Sequence, residues 1–256
     1  MFSLNGKVAI VTGAAMGVGK AIALKMAEAG ADVIVTDKDE EKGKETAAMI
    51  KAMGRDAFFE PCDLWNFESV QQMCDRAIKH KGKVDIMVAC GASGSASNEK
   101  FFLELDVAQY PVCLLSQQFS RLYCIKAIAP HMKEREYGKI IIITTDAGRF
   151  PTPREMIIGS AAAGLIQAVK VIAKEFTRFK VRVNTICISV VENTPAYNRT
   201  MAGEARHIFA KATEKMPLGI PSADDIAGAV VFMACPESDK ITGQTLSVNS
   251  GLSFVG

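Results

Sequence analysis

This sequence lacks any marked excess of positive over negative residues, or the reverse. Its 30 Lys and Arg stand against 28 Asp and Glu, a formal net charge of +2, and the two signs alternate instead of clustering. With no basic stripe to meet a phosphate backbone, nucleic acid is not expected as a partner. Histidine is scarce, at 80, 131 and 207, and the seven cysteines at 62, 74, 90, 113, 124, 187 and 235 form no C-x-x-C pair. That spacing offers no metal site and reads as reduced, packed thiols, with Cys90 alone expected near a ligand. The reading finds no apolar run near the ~18 residues of a membrane span and no leader before the first strand, so no membrane and a cytoplasmic location are expected. Linkers, repeats and low-complexity tracts are lacking too, which points to one domain over residues 1–256.

What is present is a regular alternation. Short apolar runs at Lys7 to Val11, Ala31 to Thr36, Ala57 to Glu60, Val84 to Val88, Lys139 to Thr144, Val181 to Ile188 and Gln244 to Val248 read as strands bounded by Gly, Pro, Asp or Asn. Several are apolar on both faces, as strands buried between helices are. Between them the stretches 20–27, 39–53, 66–80, 113–136, 157–178 and 222–234 carry helical periodicity. The pattern predicts an α/β fold, a single doubly wound Rossmann domain with a seven-stranded parallel sheet flanked by helices.

The first strand-to-helix turn carries recognisable chemistry. Val11-Thr12-Gly13-Ala14-Ala15-Met16-Gly17-Val18-Gly19-Lys20 has the spacing G-x-x-x-G-x-G. Such glycines permit a tight turn and let backbone N–H groups and a helix dipole approach a pyrophosphate. The same turn could merely end a strand, but its place in a βαβ unit favours a cradle. Asp37 ends the second strand, 18 residues beyond Gly19. A carboxylate there accepts hydrogen bonds from an adenosine ribose and repels a 2′-phosphate, which favours NAD over NADP. Asp37 as a helix N-cap is the alternative. Asp63-Leu64 closes the third strand where an adenine edge is reachable, and Asp63 could instead cap the helix near Asn66.

Together these features resemble the short-chain dehydrogenase/reductase family, from end to end. The resemblance extends to Gly138-Lys139-Ile140-Ile141, Val181-Arg182-Val183-Asn184, Pro217-Leu218-Gly219, Asp225-Ile226-Ala227 and Ile241-Thr242-Gly243-Gln244-Thr245-Leu246. It implies an NAD cofactor held by Gly13, Met16, Gly17, Val18, Gly19, Asp37, Asp63, Leu64, Ala89, Gly91 and Thr194. In that family a Tyr is the general acid/base toward the substrate oxygen, a Lys lowers its pKa and binds the nicotinamide ribose, a Ser orients the carbonyl, and an Asn supports a water relay.

The sequence departs from the family at those four roles. Thr145 stands at the serine position, Ile158 at the tyrosine position and Ala162 at the lysine position, with the register held by Ala163-Gly164-Leu165-Ile166. None of Tyr110, Tyr123, Tyr137 and Tyr197 has a Lys four residues later. Counted back from Pro130, Gln117 replaces the Asn, and Ala89-Cys90-Gly91-Ala92 and Ile188-Ser189 replace the family's Asn-Asn-Ala-Gly and Pro-Gly. Thr194-Pro195 keeps the Thr that contacts the carboxamide. A positioned acid/base contributes roughly 10²–10⁴ in rate, so little hydride transfer is expected, and no residue is assigned as catalytic.

The expected function is therefore that of a non-catalytic subunit working with a catalytically intact relative. The chain resembles inactive subunits of heteromeric family members that oxidise hydroxyacyl-CoA substrates such as 2-(α-hydroxybenzyl)succinyl-CoA. The family's habit places the subunit contact on helices 113–136 and 157–178, and Gly159, Ala163 and Gly164 offer a small-residue face for close approach. The apolar end from Gly251 to Gly256 is expected to dock, though these segments could simply complete the chain's own core. Two alternatives stand beside this. One is an NAD-dependent enzyme with proton transfer relocated to Thr145, Asp146, Arg149, Arg154 or a group of the substrate; the other is an NAD-sensing or scaffolding protein.

Overall fold

The computed structural model describes residues 2–92, 99–204 and 206–254. Seven parallel strands form one sheet in the order β3-β2-β1-β4-β5-β6-β7. They are β1 (Val8–Thr12), β2 (Asp32–Asp37), β3 (Ala57–Pro61), β4 (Ile86–Ala89), β5 (Gly138–Thr145), β6 (Val181–Ile188) and β7 (Thr245–Val248). Every strand read from the sequence is present, with ends moved by a residue or two, the usual error where caps rather than periodicity set a boundary.

Alternation along the strands sends side chains into two cores. On one face Val11, Val33, Val88, Ile141 and Ile143 meet Ile22 and Met26 of α1 (Gly17–Glu28), Ile50 of α2 (Glu40–Ala52) and Ile226 and Val230 of α9 (Ala223–Ala234). On the other, Ile10, Ile34, Met87, Ile140 and Ile142 meet Val70 and Met73 of α3 (Phe67–Lys81), Ile125 and Ile128 of α5 (Ser120–Glu134) and Leu165 and Val169 of α6 (Met156–Phe176). Burying each such side chain contributes roughly 1.5–3 kcal/mol, which is why both faces must be covered. Lys139 breaks the apolar run of β5 from within. Its ammonium bonds Ser238 Oγ at 2.8 Å and Asp239 Oδ1 at 2.8 Å and reaches the Cys235 carbonyl, fastening the end of α9 to the central sheet.

The stretch 113–136, read as one helix, is three pieces. α4 (Gln109–Leu114) leads into a wide π-type turn over Leu115–Phe119 and then α5. Between β6 and α9, where the sequence shows no pattern, lie α7 (Pro195–Ala202) and α8 (Arg206–Thr213). Both are short, which defeats a search for period.

Three expectations are corrected. The small-residue face on α6 is used inside the chain: a Cβ on Gly159 would lie 2.6 Å from the Ala147 carbonyl oxygen, and one on Gly164 would lie 2.8 Å from Gln118 Nε2. Only Ala163 of the three is exposed. The segment Met156–Phe179 is long and apolar enough to cross a membrane by length and composition, contrary to the expectation of no such run, yet half of it is buried in the fold against β5 and β6. The tail docks only as far as Ser253, whose carbonyl and hydroxyl accept from Asn249 Nδ2 at 3.1 Å. Phe254 is 91% exposed; Val255 and Gly256 lie outside the described residues.

Candidate functional site

Sheet order reverses between β1 and β4, and a doubly wound sheet opens its ligand crevice at the carboxyl ends of the strands beside such a switch. A cleft of about 930 Å³ lies there. Its first half is built by the glycine turn. Gly13 and Gly17 take φ values of +66° and +56°, which favour glycine. A Cβ on Gly13 would lie 2.5 Å from Gly91 Cα, and one on Gly19 would run into the Gly13 carbonyl, so these backbones touch with no space for side chains. No side chain caps α1 and no acidic residue lies in its first turn, so its positive end is left to an external anion.

Asp37 ties this turn to β2. Its Oδ2 accepts from the Ala15 N–H at 3.1 Å and its Oδ1 from the Lys38 and Asp39 N–H groups at 2.8 and 3.1 Å. Asp39, not Asp37, caps α2 by accepting from Lys42 N, which removes the N-cap alternative for Asp37. Asn66 caps α3 through the N–H groups of Glu68 and Ser69, while Asp63 accepts from Trp65 N, so Asp63 is not the helix cap either. Thr12 Oγ1 accepts from both Cys90 N and Gly91 N, joining β1 to the loop after β4.

Of the residues expected to hold a cofactor, Gly13, Met16, Gly17, Val18, Gly19, Asp37, Asp63, Leu64, Gly91 and Thr194 line the cleft. Ala89 does not. It ends β4, and strand alternation turns its side chain into the core on the side of α3, α5 and α6. Cys90 lines the wall as expected, and Cys62, not singled out by the sequence, lines it as well. Burial pushes the Cys90 thiol up to about 11 and raises Cys62 too, so both are neutral packing groups.

The second half of the cleft is where the family's chemistry would sit. Gln117, Thr145 and Ile158 line it. Thr145 Oγ1 accepts from Ala147 N at 3.2 Å, turning the chain out of β5. Ile158 is 7% exposed and packs on Cys113 and Ile157. Ala162 is fully buried and off the cleft wall, pressed beneath Gly148, whose Cβ position lies 2.7 Å from the Ala162 methyl. Thr194 lines the cleft, but its hydroxyl accepts from Tyr197 N and donates to the Val191 carbonyl, so it caps α7. Ser189 brings something new: its hydroxyl is buried on the cleft wall with no hydrogen-bond partner among the described residues. An orphaned donor at that point asks for a ligand atom.

The residues named for relocated proton transfer are mostly occupied elsewhere. Asp146 is buried and accepts from Ser247 Oγ at 2.5 Å and Asn249 Nδ2 at 2.9 Å. Arg149 donates to Ser247 Oγ at 3.0 Å, and Arg154 donates to the Glu99 carbonyl at 2.9 Å. Of the four, only Thr145 faces the cleft.

Two features escaped the sequence reading. Arg121 lies on the cleft floor at 4% exposure, bonded to neutral oxygens alone: the carbonyls of Ser116, Ile143 and Cys90 and the Ser120 hydroxyl. Desolvation lowers its pKa. A charged residue four positions after Gln117, amid the apolar positions of a core helix, was the available signal. Glu155 faces the cleft one turn before Ile158, and burial together with the Glu99 charge pushes its carboxyl up to about 7. Glu99, on the same wall, is raised by burial, with Thr200 donating to it at 3.3 Å.

The cradle, Asp37 and the orphaned Ser189 hydroxyl together suit a nicotinamide dinucleotide. Comparison with known proteins agrees in kind. Residues 13–253 match the family described as enoyl-(acyl carrier protein) reductase. The chain is 30% identical to the 7alpha-hydroxysteroid dehydrogenase of Escherichia coli (strain K12), over 97% of this chain and 94% of that protein. It is 29% identical to the (2S)-[(R)-hydroxy(phenyl)methyl]succinyl-CoA dehydrogenase subunit BbsD of Thauera aromatica, over 98% of each. A solved 7alpha-hydroxysteroid dehydrogenase in complex with NADH and 7-oxo glycochenodeoxycholic acid superposes with a TM-score of 0.89 at 29% identity, covering 97% of this chain and 95% of that one. Fold, cleft and sequence agree, and the chain belongs to the short-chain dehydrogenase/reductase family of oxidoreductases.

Proposed function

We propose that this chain is the non-catalytic subunit of an NAD-dependent dehydrogenase complex, assembling with an intact relative that carries the Ser, Tyr and Lys. One observation carries the reading: the wall of the cleft presents the Ile158 side chain where a phenol is needed, and Ala162 is packed out of reach of the ligand. Isoleucine can neither give nor take a proton, so a general acid/base term of roughly 10²–10⁴ is missing before the absent cation is considered. The adenosine half of the cleft keeps every residue expected of it except Ala89, which supports NAD as the bound cofactor.

Assembly is supported by the surface beside the cleft. Phe101, Phe102, Leu103, Val107, Phe119, Phe150 and Met156 are exposed large apolar side chains, of which only Phe119 lies on the helices 113–136 and 157–178 where the family's contact is expected, the others lying just before them or in the turn after β5. Large apolar side chains exposed in such number are what interaction sites are made of. The likeness to a Thauera aromatica protein that is itself named a subunit points to a hydroxyacyl-CoA or another secondary alcohol as the substrate of the complex. A cytoplasmic location goes with this reading.

Co-expression with the family member encoded beside this chain's gene is the test. The two are expected to elute together and the neighbour to lose activity or stability when purified alone. Separate elution, with the neighbour fully active by itself, overturns the reading, as does ordinary dehydrogenase turnover by this chain alone.

A further inference from the structure

Two carboxyls that no role described so far uses line the cleft, Glu155 and Glu99. Glu155 precedes α6, yet its side chain does not cap that helix, and no described residue donates a hydrogen bond to its carboxyl. It faces both the main cleft and a smaller cavity of about 480 Å³. Glu99 faces the same cleft, tied to α7 by Thr200. They share that wall with Ile158, Thr145 and Ser189, on the half of the cleft where a dinucleotide anchored at its adenosine end would place its second ring.

We propose that this carboxyl pair tells the oxidised nicotinamide ring from the reduced one, making the chain a reader of the NAD⁺/NADH ratio. The inference rests on the reading that the cleft takes NAD. The two redox forms share their phosphates, riboses and adenine, and differ by one positive charge on the nicotinamide ring. A half-buried carboxylate on that half of the cleft attracts the charged ring and is indifferent to the neutral one. Nothing at Ile158 exchanges a proton, so the ligand is held rather than consumed.

The charged groups around Glu155 set a direction for pH. Glu99 opposes its ionisation from the segment leading to α4, and the same burial that raises Glu99 acts on Glu155. Arg154, beside it in sequence, is spent on the Glu99 carbonyl and an ion pair with Glu204 at 3.6 Å. Lys100 lines the smaller cavity. From α7, Arg199 acts on Glu99 rather than on Glu155. Arg121, on the floor, disfavours the cationic ring but stays charged across the neutral range, so it sets a baseline and no slope. As pH rises through neutrality Glu155 ionises and preference moves toward NAD⁺; below neutrality it is protonated and the preference fades.

Calorimetric titration of the full-length chain with NAD⁺, NADH and ADP-ribose at pH 6 and pH 8 tests this. The ratio Kd(NADH)/Kd(NAD⁺) is expected to rise about three- to tenfold between the two, tenfold being the limit for a one-unit change in the Glu155 pKa, and to stay flat in Glu155→Gln. A flat ratio in the unmodified chain, or an equal rise in the variant, with ADP-ribose still binding, overturns this inference and leaves the NAD cradle standing. Failure of all three to bind overturns both.

Discussion

The Ala15 N–H donates to Asp37 Oδ2 at 3.1 Å, so the carboxylate proposed to read a ribose also holds the glycine turn against β2. Replacing it therefore does two things at once. Asp37→Ala is expected to lower stability by about 1–2 kcal/mol, through three N–H groups left without their acceptor, and to abolish the preference for NAD over NADP. Thermal unfolding with and without each nucleotide separates the two effects; unchanged nucleotide preference would remove Asp37 from the cradle.

Arg121 is a buried cation that meets only neutral acceptors. Arg121→Ala takes a donor from the carbonyls of Ile143 and Cys90 and leaves the Ser116 carbonyl to the Ser120 hydroxyl at 2.7 Å, and a loss of about 2–3 kcal/mol in unfolding free energy is expected. Arg121→Lys should recover less than half of it, because one ammonium cannot reproduce a planar fork directed at three oxygens. Equal stability of the Lys variant and the unmodified chain in urea titration would refute this.

Asp85 governs the acid limb. Burial pushes its carboxyl up, but Arg135, the Val8 N–H at 3.0 Å and the Lys83 charge outweigh that and hold it below the ordinary range. A depressed folded-state pKa means stability that is fully present above the unfolded carboxylate value of ~3.9 and drains away as pH falls through the lower folded one. Denaturant titrations from pH 6 to pH 2 should show that slope, and Asp85→Asn should flatten it while losing about 3 kcal/mol at neutral pH.

Grafting the family's groups back tests what is left of the pocket. Ile158→Tyr, Ala162→Lys and Gln117→Asn together are expected to raise secondary-alcohol oxidation at least ~10²-fold above the unmodified chain. No gain, in a folded variant that NAD still protects against heat, would mean that Ile188 and Ser189 have altered the nicotinamide half as well.

The sheet was legible because its strands are apolar on both faces and punctuated by Gly, Asp and Pro. The cradle was legible because glycine is needed wherever Gly13, Gly19 and Gly91 let backbones touch. Ala89 was misplaced for want of a strand register: one residue decides whether a side chain enters the core or the cleft. Gly159 and Gly164 were assigned to a neighbour, since a pattern of small residues does not say whose atoms fill the gap. Arg121 and Glu155 went unseen for a related reason. Their meaning lies in what they lack, a counter-charge or a donor, and that is a property of surroundings rather than of spacing. α7 and α8 are too brief for any period to declare itself.

The wide turn at Leu115–Phe119 fixes how this chain can change over evolutionary time. One surplus residue is wound into that segment, and an α-helix advances about 100° per residue. Deleting any one of the five would let α4 and α5 fuse into a regular helix and swing everything before the cut by that angle. Where the residue lost is Gln118 or Phe119, Gln117 would then leave the cleft. Length at this spot should be guarded more strictly than identity: many side chains can be exchanged there, but a lost codon cannot be absorbed.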